Sequence, residues 1–201
     1  GGPELLQGFR WRRRRHRRVI HDVAWGAASA AGDRLEKRAA LGLVDREKRL
    51  DAGVVDVYPK VLPDSVELRW VFDEMSSNML IMDYDVDHDG ALSPSESEAL
   101  RSDIFAHLEE YGYYTYFFKG DQQLPSAKAR EFSASIQGMQ VVFSFTLPRP
   151  AAAETIGFYD PENMTGYQVT EAFVKEANPG SSFAVHTHDF DYYYGYILEL
   201  K

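Results

Sequence analysis

The acidic stretch DYDVDHDGALSPSE, residues 83–96, decides how the surrounding fold is interpreted. Aspartates alternate at Asp85, Asp87 and Asp89, Gly90 follows, and Glu96 closes the run. These positions match the twelve-residue loop of an EF-hand, in which alternate side chains point at one hard cation and a glycine turns the chain. The stretch therefore predicts a calcium loop between two helices.

The numbering of this loop assigns a role to each predicted ligand. The predicted calcium ligands are Asp85, Asp87, Asp89, Ala91, Ser93 and Glu96. Ala91 offers its carbonyl, Ser93 binds directly or through a water, and Glu96 closes the shell with both carboxylate oxygens. His88 should face solvent, and Leu92 should tie the loop to a core. The alternative is a solvated acidic turn, although four carboxylates would repel one another without a cation.

Helical patterns stand on both sides of the loop. Residues 73–84, DEMSSNMLIMDY, have a helical spacing that puts three methionines on one side: Met75, Met79 and Met82. Residues 94–112 begin with a proline in the first turn of a second predicted helix and end at a glycine. The sequence contains no second acidic loop to pair with this one. We therefore expect the loop to lean on a sheet, which favours a structural ion over a switch.

Short β-like runs make up most of the remaining sequence. GVVDVYPKV and VELRWVF precede the helices and are joined by the turn LPDS. Further runs after residue 112 are rich in aromatic and β-branched residues, with glycine, proline or asparagine between most of them. This order predicts an α+β fold. We expect an antiparallel β-sandwich-like sheet with an embedded EF-hand-type helix-loop-helix, packed on the sheet or at its edge.

Charge divides the chain into two parts. Residues 1–50 carry 13 Lys/Arg and 6 Asp/Glu, a net charge of +7, whereas residues 51–201 carry 9 and 25, a net charge of −16. We predict a basic, poorly packed or partly helical segment over residues 1–50. Residues 51–201 are predicted to be an acidic α+β domain that contains the loop 85–96. An acidic domain favours cations, so no nucleic-acid partner is expected.

Missing residue types and motifs narrow the function. The chain has no cysteine, which excludes disulfides, thiolate metal sites and cysteine nucleophiles. It has no Gly-x-Ser-x-Gly elbow, no phosphate loop and no HExxH helix, so we expect a non-enzymatic protein rather than a calcium-dependent hydrolase. No apolar run reaches the roughly 18 residues that span a bilayer. Residues 1–50 also lack the apolar core of a secretory signal.

A second candidate metal site lies in VHTHDFD, residues 185–191. His186 and His188 are two apart and share one face of a strand, so both could bind one Zn²⁺, Ni²⁺, Co²⁺ or Cu²⁺. A third ligand must come from elsewhere in the fold. The alternative is a pair of surface histidines on an edge strand.

Several features occur in a fixed order over residues 65–165: Trp70, FDEM, the acidic loop, YYTYFF, FSASI, VVFSFTLP and FYDP. In this order they resemble a bacterial family of unknown function. Its members are described as uncharacterised periplasmic components of ABC-type transport systems. Members carry a secretory signal and a His-Pro-His segment, and residues 1–50 show neither.

The resemblance implies a periplasmic or otherwise exported accessory component, partnered by membrane transporter subunits. Family members often accompany nickel, cobalt or zinc transporters. Combined with the acidic loop, this predicts a calcium-binding, non-enzymatic component of a transport system for a transition metal. The alternative is a calcium-stabilised cell-envelope domain that binds a protein partner and has no transport role.

Overall fold

The computed structural model describes residues 53–189 and 194–200, so the predicted basic segment 1–50 and Asp191 lie outside the described residues. The described strands are β1 (Val54–Val61), β2 (Ser65–Phe72), β3 (Thr115–Lys119), β4 (Gln122–Gln123), β5 (Arg130–Gln137), β6 (Gln140–Pro148), β7 (Thr155–Phe158), β8 (Gly166–Gln168), β9 (Val185–Asp189) and β10 (Tyr194–Glu199). The described helices are α1 (Glu74–Tyr84), α2 (Pro94–Asp103), a 3₁₀ helix (Phe105–Tyr114) and α3 (Glu171–Ala177). None of these helices is long and apolar enough to cross a membrane.

The strands form two five-stranded sheets. The first sheet has the order β5-β6-β2-β1-β8 and the second has the order β4-β3-β7-β10-β9. Every pairing among these strands is antiparallel except that of β1 with β8. Two mostly antiparallel sheets with four helices confirm the predicted α+β class.

Both sheets contribute to one hydrophobic core. Along β2 the burial alternates strictly, and the buried side chains are Val66, Leu68, Trp70 and Phe72. The second sheet adds Phe117, Ile156, Phe158 and Leu198 to the same cluster. Successive side chains of a strand point to opposite faces, so each sheet can bury one face in this core.

The helix α1 is present as predicted, but its methionines face away from the core. Its buried residues are Ser76, Ser77, Leu80 and Tyr84. Met75, Met79 and Met82 lie on the opposite, exposed side. The burial of Ser77 is compensated by hydrogen bonds. Its Oγ accepts the Val141 N–H at 2.9 Å and donates to the Phe72 carbonyl at 3.2 Å.

Both helices that flank the acidic loop are tied to the β5–β6 hairpin. Ser77 of α1 contacts β6 through Val141, and Ser97 Oγ of α2 accepts the Ala134 N–H of β5 at 2.9 Å. Since β5 is an edge strand, α2 satisfies a backbone donor that would otherwise be unpaired. The helix pair therefore sits at the sheet edge, one of the two places expected for it.

The second predicted helix, residues 94–112, is interrupted. The α-helix α2 ends at Asp103, and a 3₁₀ helix follows, with positive φ at Gly112 and Tyr113. A 3₁₀ helix repeats every three residues, so Phe105, Leu108 and Tyr111 align on one side. Phe105 and Leu108 are buried there and Tyr111 is half-buried.

Candidate metal centre

Asp85 is the buried centre of the loop between α1 and α2. It caps the C-terminus of α1, where its N–H donates to the Ile81 carbonyl at 2.9 Å, and it is 3% exposed. Asp85 Oδ1 accepts the Asp89 N–H at 3.1 Å, and Oδ2 accepts the Gly90 N–H at 3.1 Å. The loop backbone is therefore wrapped around this carboxylate.

Three predicted carboxylate ligands meet in the loop. One ligand oxygen from each of Asp85, Asp87 and Asp89 lies within 4.8 Å of the others. Oxygens bound to one Ca²⁺ at about 2.3–2.6 Å can be at most about 5 Å apart, so the spacing fits a shared ion. The ion pairs found among the described residues involve none of the three. The residues therefore suit a hard cation, with Asp87 and Asp89 exposed on its outer side.

The turn of the loop needs a glycine for its backbone. Gly90 has a φ of +80°, as its position in the pattern predicts, and a Cβ there would meet nothing within 4 Å. The requirement is thus conformational and not one of space. His88 also has a positive φ, 57°, and is exposed as expected. Leu92 packs partly buried against the core, which ties the loop to the fold.

Glu96 does not join the three aspartates in this structure. It is 9% exposed, and its Oε1 accepts the Val86 N–H at 2.7 Å. Its Oε2 accepts the Ser93 N–H and the Ser93 hydroxyl, each at 2.8 Å, while Ser93 Oγ accepts the Glu96 N–H at 3.3 Å. Glu96, at the end of the loop, is thus bonded to Val86 near its start. To bind an ion with both oxygens it must exchange these donors for the metal.

The two remaining predicted loop ligands, Ala91 and Ser93, form hydrogen bonds within the loop and the start of α2. Ala91 donates its N–H to Asp89 Oδ1 at 2.8 Å, and Ser93 Oγ lies 3.0 Å from Ser95 Oγ. The roles of the Ala91 carbonyl and the Ser93 hydroxyl as ligands stay predictions. The sequence did contain a signal for the Ser93–Glu96 contact, because Ser-x-x-Glu before a helix is a capping box.

The hydrogen bonds to Glu96 make the stability of the loop sensitive to acid. The Ser93 N–H and hydroxyl, followed by the Val86 N–H, lower the pKa of Glu96 below its ordinary value of 4.5. A lowered folded-state pKa gives stability that is present above the unfolded value and lost as the pH falls through the folded value. We expect metal-free wild type to be more stable than Glu96→Gln at pH 7, with the difference shrinking below about pH 4.5. Urea unfolding between pH 7 and pH 3 measures this, and a constant difference would contradict it.

The two candidate transition-metal ligands lie on an edge strand. His186 and His188 belong to β9, the last strand of the second sheet. His186 Nε2 lies 3.0 Å from Glu199 Oε1 on β10. Within the described part of the chain, the two histidines do not share a group of three metal-ligating side chains. The transition-metal site at these histidines stays a prediction.

Comparison with known proteins gives a family and one curated relative. Over residues 61–194 the chain matches the family described as "Protein of unknown function (DUF1007)". It is 28% identical over 86 residues to the "Uncharacterized 15.5 kDa protein in trpE 3'region" of Spirochaeta aurantia. This alignment covers 40% of the chain and 61% of the relative, less than two thirds of its length. No solved structure matches the chain.

Proposed function

The chain belongs to this family of unknown function, and we propose that it is a non-enzymatic protein that binds one Ca²⁺ in the loop 85–96. One observation carries the proposal: the carboxylates of Asp85, Asp87 and Asp89 converge within 4.8 Å in a loop that connects two helices. The matched region of the family contains the whole loop.

The chemistry of the cluster favours calcium over other metals. All three converging ligands are carboxylates, and oxygen ligands suit hard cations, whereas zinc and nickel prefer nitrogen or sulfur. Calcium accepts 6–8 oxygens in irregular arrangements, while magnesium requires a near-ideal octahedron and keeps several waters. A loop of alternating carboxylates, a carbonyl and a glutamate at its end supplies the number of oxygens that calcium needs.

The attachment of the helices favours a structural ion over a regulatory one. Ser77 and Ser97 fix α1 and α2 to the β5–β6 hairpin. Sensor EF-hands respond to calcium by changing the angle between their helices. Helices that are both bonded to one hairpin have little freedom to change that angle. Calcium is therefore proposed to stabilise the fold around the loop.

Calcium should raise the stability of the metal-stripped chain. A ligand that binds only the folded state adds about 2.7 kcal/mol to the free energy of unfolding at a hundredfold excess over Kd. Asp87→Asn plus Asp89→Asn should abolish the increase, because both side chains are exposed and their loss removes two ligands without opening the core. Thermal unfolding with added Ca²⁺, and with Mg²⁺ for comparison, measures the effect.

The matched control replaces two exposed aspartates outside the loop, Asp64→Asn plus Asp121→Asn. It carries the same change of net charge and should keep the full response to calcium. An equal response in the loop variant, or no response in wild type, would contradict the calcium proposal.

The transport role is part of the proposal and is supported by the sequence resemblance. In this role the calcium-bound domain is exported and acts beside membrane transporter subunits for nickel, cobalt or zinc. Cells that lack the protein should then hold less of one of these metals than the parent strain. Equal metal contents by mass spectrometry would instead support the alternative, a cell-envelope interaction domain without a transport role.

A further inference from the structure

The exposed side of α1 carries a line of apolar side chains. Met75, Met79 and Met82 are 51%, 40% and 79% exposed, and Val86 in the following loop is 74% exposed. Spacings of four and three residues place the three methionines on one side of the helix, and Val86 follows two residues after the helix ends. We call these four residues the methionine stripe.

Apolar side chains lie on both sides of α1, whereas an ordinary surface helix exposes a polar side. The buried side holds Leu80 and Tyr84 together with the small residues Ser76 and Ser77, and the three methionines are exposed. Of the seven large apolar residues that are exposed in the described chain, four belong to the stripe. Exposed apolar side chains in a contiguous group mark interaction sites, and methionine adapts readily to a partner surface.

Two more exposed apolar residues lie beside the start of α1. Val54 donates its N–H to Asp73, the N-cap of the helix, at 2.6 Å. Met139 precedes Gln140, whose side chain donates to the carbonyl of Phe72 just before the helix. Among the seven exposed large apolar residues of the described chain, Tyr194 of the second sheet is the one that does not lie near α1. The exposed apolar surface is thus concentrated around one helix.

The surroundings of the methionine stripe are strongly acidic. Residues 73–98 contain eight Asp/Glu and no Lys/Arg. On a helical projection of about 100° per residue, Glu74 and Asp83 flank the stripe on its two sides. Both flanking side chains are exposed. A complementary partner therefore needs an apolar strip bordered by positive charges.

We propose that the methionine stripe is the docking surface for a basic amphipathic helix of a partner protein. An anionic membrane surface would be repelled by the acidic flanks, and a second copy of the chain would bring the same acidic flanks against itself. A basic helix matches both the apolar line and the charge. The proposal does not depend on calcium binding, although Val86 makes the stripe reach into the loop.

The test uses a fluorescent 18-residue peptide of leucine and lysine, with leucines at helical spacing on one side. Its control has the same composition with the leucines scattered. In fluorescence anisotropy the full chain should bind the amphipathic peptide at least about tenfold more tightly than the control. Met79→Gln plus Met82→Gln should weaken this binding by about tenfold or more, without any change in charge. Tyr194→Gln removes an exposed apolar side chain elsewhere and should leave binding unchanged.

Several outcomes would overturn the proposal. One is equal affinity of wild type and the double variant for the amphipathic peptide. A second is that wild type does not bind the peptide but binds neutral or anionic lipid vesicles, and that the double variant does not bind these vesicles. A third is a wild-type dimer in sedimentation that the double variant abolishes.

Melting temperatures verify that the variants fold. If the double variant fails to fold, Met82→Gln alone replaces it, because Met82 is the most exposed of the three methionines. Titrations with and without Ca²⁺ separate this result from the calcium proposal.

Discussion

Replacing Phe105 with alanine is expected to lower the free energy of unfolding by about 3–5 kcal/mol. The side chain is 5% exposed, and its ring centroid lies 4.2 Å from that of Phe132 and 4.9 Å from that of Phe145. Phe143 and Tyr113 complete the aromatic cluster at 6.4 and 5.1 Å. Removing the ring loses its burial and leaves a cavity that the sheet can close only partly. Urea unfolding of wild type and variant measures the loss.

The position of Phe105 makes this effect relevant to the candidate metal centre. It begins the 3₁₀ helix one residue beyond the C-cap of α2, the helix that starts at the end of the acidic loop. Phe105→Leu keeps much of the apolar volume, so it should lower the free energy of unfolding much less than Phe105→Ala does. A loss below about 1 kcal/mol for Phe105→Ala would show that the ring is not an anchor of this region.

Replacing Asp160 with alanine is expected to cost on the order of 3 kcal/mol. This carboxylate is 3% exposed and accepts the N–H groups of Glu162, Met164 and Thr165 at 2.9, 3.0 and 3.1 Å. Each buried donor left without a partner costs about 1–3 kcal/mol. Removing a buried charge offsets part of that cost, so the net loss is smaller than the sum over three donors.

The pH dependence of the Asp160→Ala effect has a definite sign. Burial raises the pKa of Asp160 above its ordinary value of 3.8, and the three N–H donors offset this only in part. A carboxyl whose folded pKa is raised contributes stability that is fully present below 3.8 and lost as the pH rises through the folded value. The loss of free energy of unfolding caused by Asp160→Ala should therefore be largest at acidic pH and decrease toward neutral pH. Chemical unfolding at pH 3 and pH 7 measures it, and a cost that grows with pH would contradict this reasoning.

Local patterns in the sequence were sufficient for the main elements of the fold. The period-two alternation of β2 and the aromatic and β-branched residues of β6 and β10 predicted strands, because these signals lie within each strand itself. The short strand β8 and the seven-residue α3 were missed. The strand β8 is three residues long and exists through its parallel pairing with distant β1, so it has no local signal.

The orientation of α1 shows a limit of periodicity. Spacing identifies which residues share a side of a helix, but it does not say which side is buried. The spacing placed the methionines together on one side, and the structure buries the other side, which carries Ser76, Ser77, Leu80 and Tyr84. The buried Ser77 hydroxyl accepts the Val141 N–H of the hairpin, a contact between residues 64 positions apart.

The candidate metal centre was predictable only where its signal is local in the sequence. The spacing of Asp85, Asp87 and Asp89 is local, and the structure brings their oxygens together. Glu96 is the predicted fourth carboxylate ligand, and in this structure its carboxylate bonds to Val86 and Ser93. Its role as a calcium ligand stays a prediction, because the spacing of a capping box and that of a calcium loop both place a glutamate here.

Calorimetric titration of the metal-stripped chain with CaCl₂ tests the calcium proposal most directly. Wild type is expected to bind about one ion per chain, with a Kd as weak as about 10⁻⁴–10⁻³ M. Asp87→Asn plus Asp89→Asn should show no binding under the same conditions, and Asp64→Asn plus Asp121→Asn should match wild type. Absence of calcium binding in wild type, or unchanged binding in the loop variant, would contradict the assignment of residues 85–96 as a calcium site.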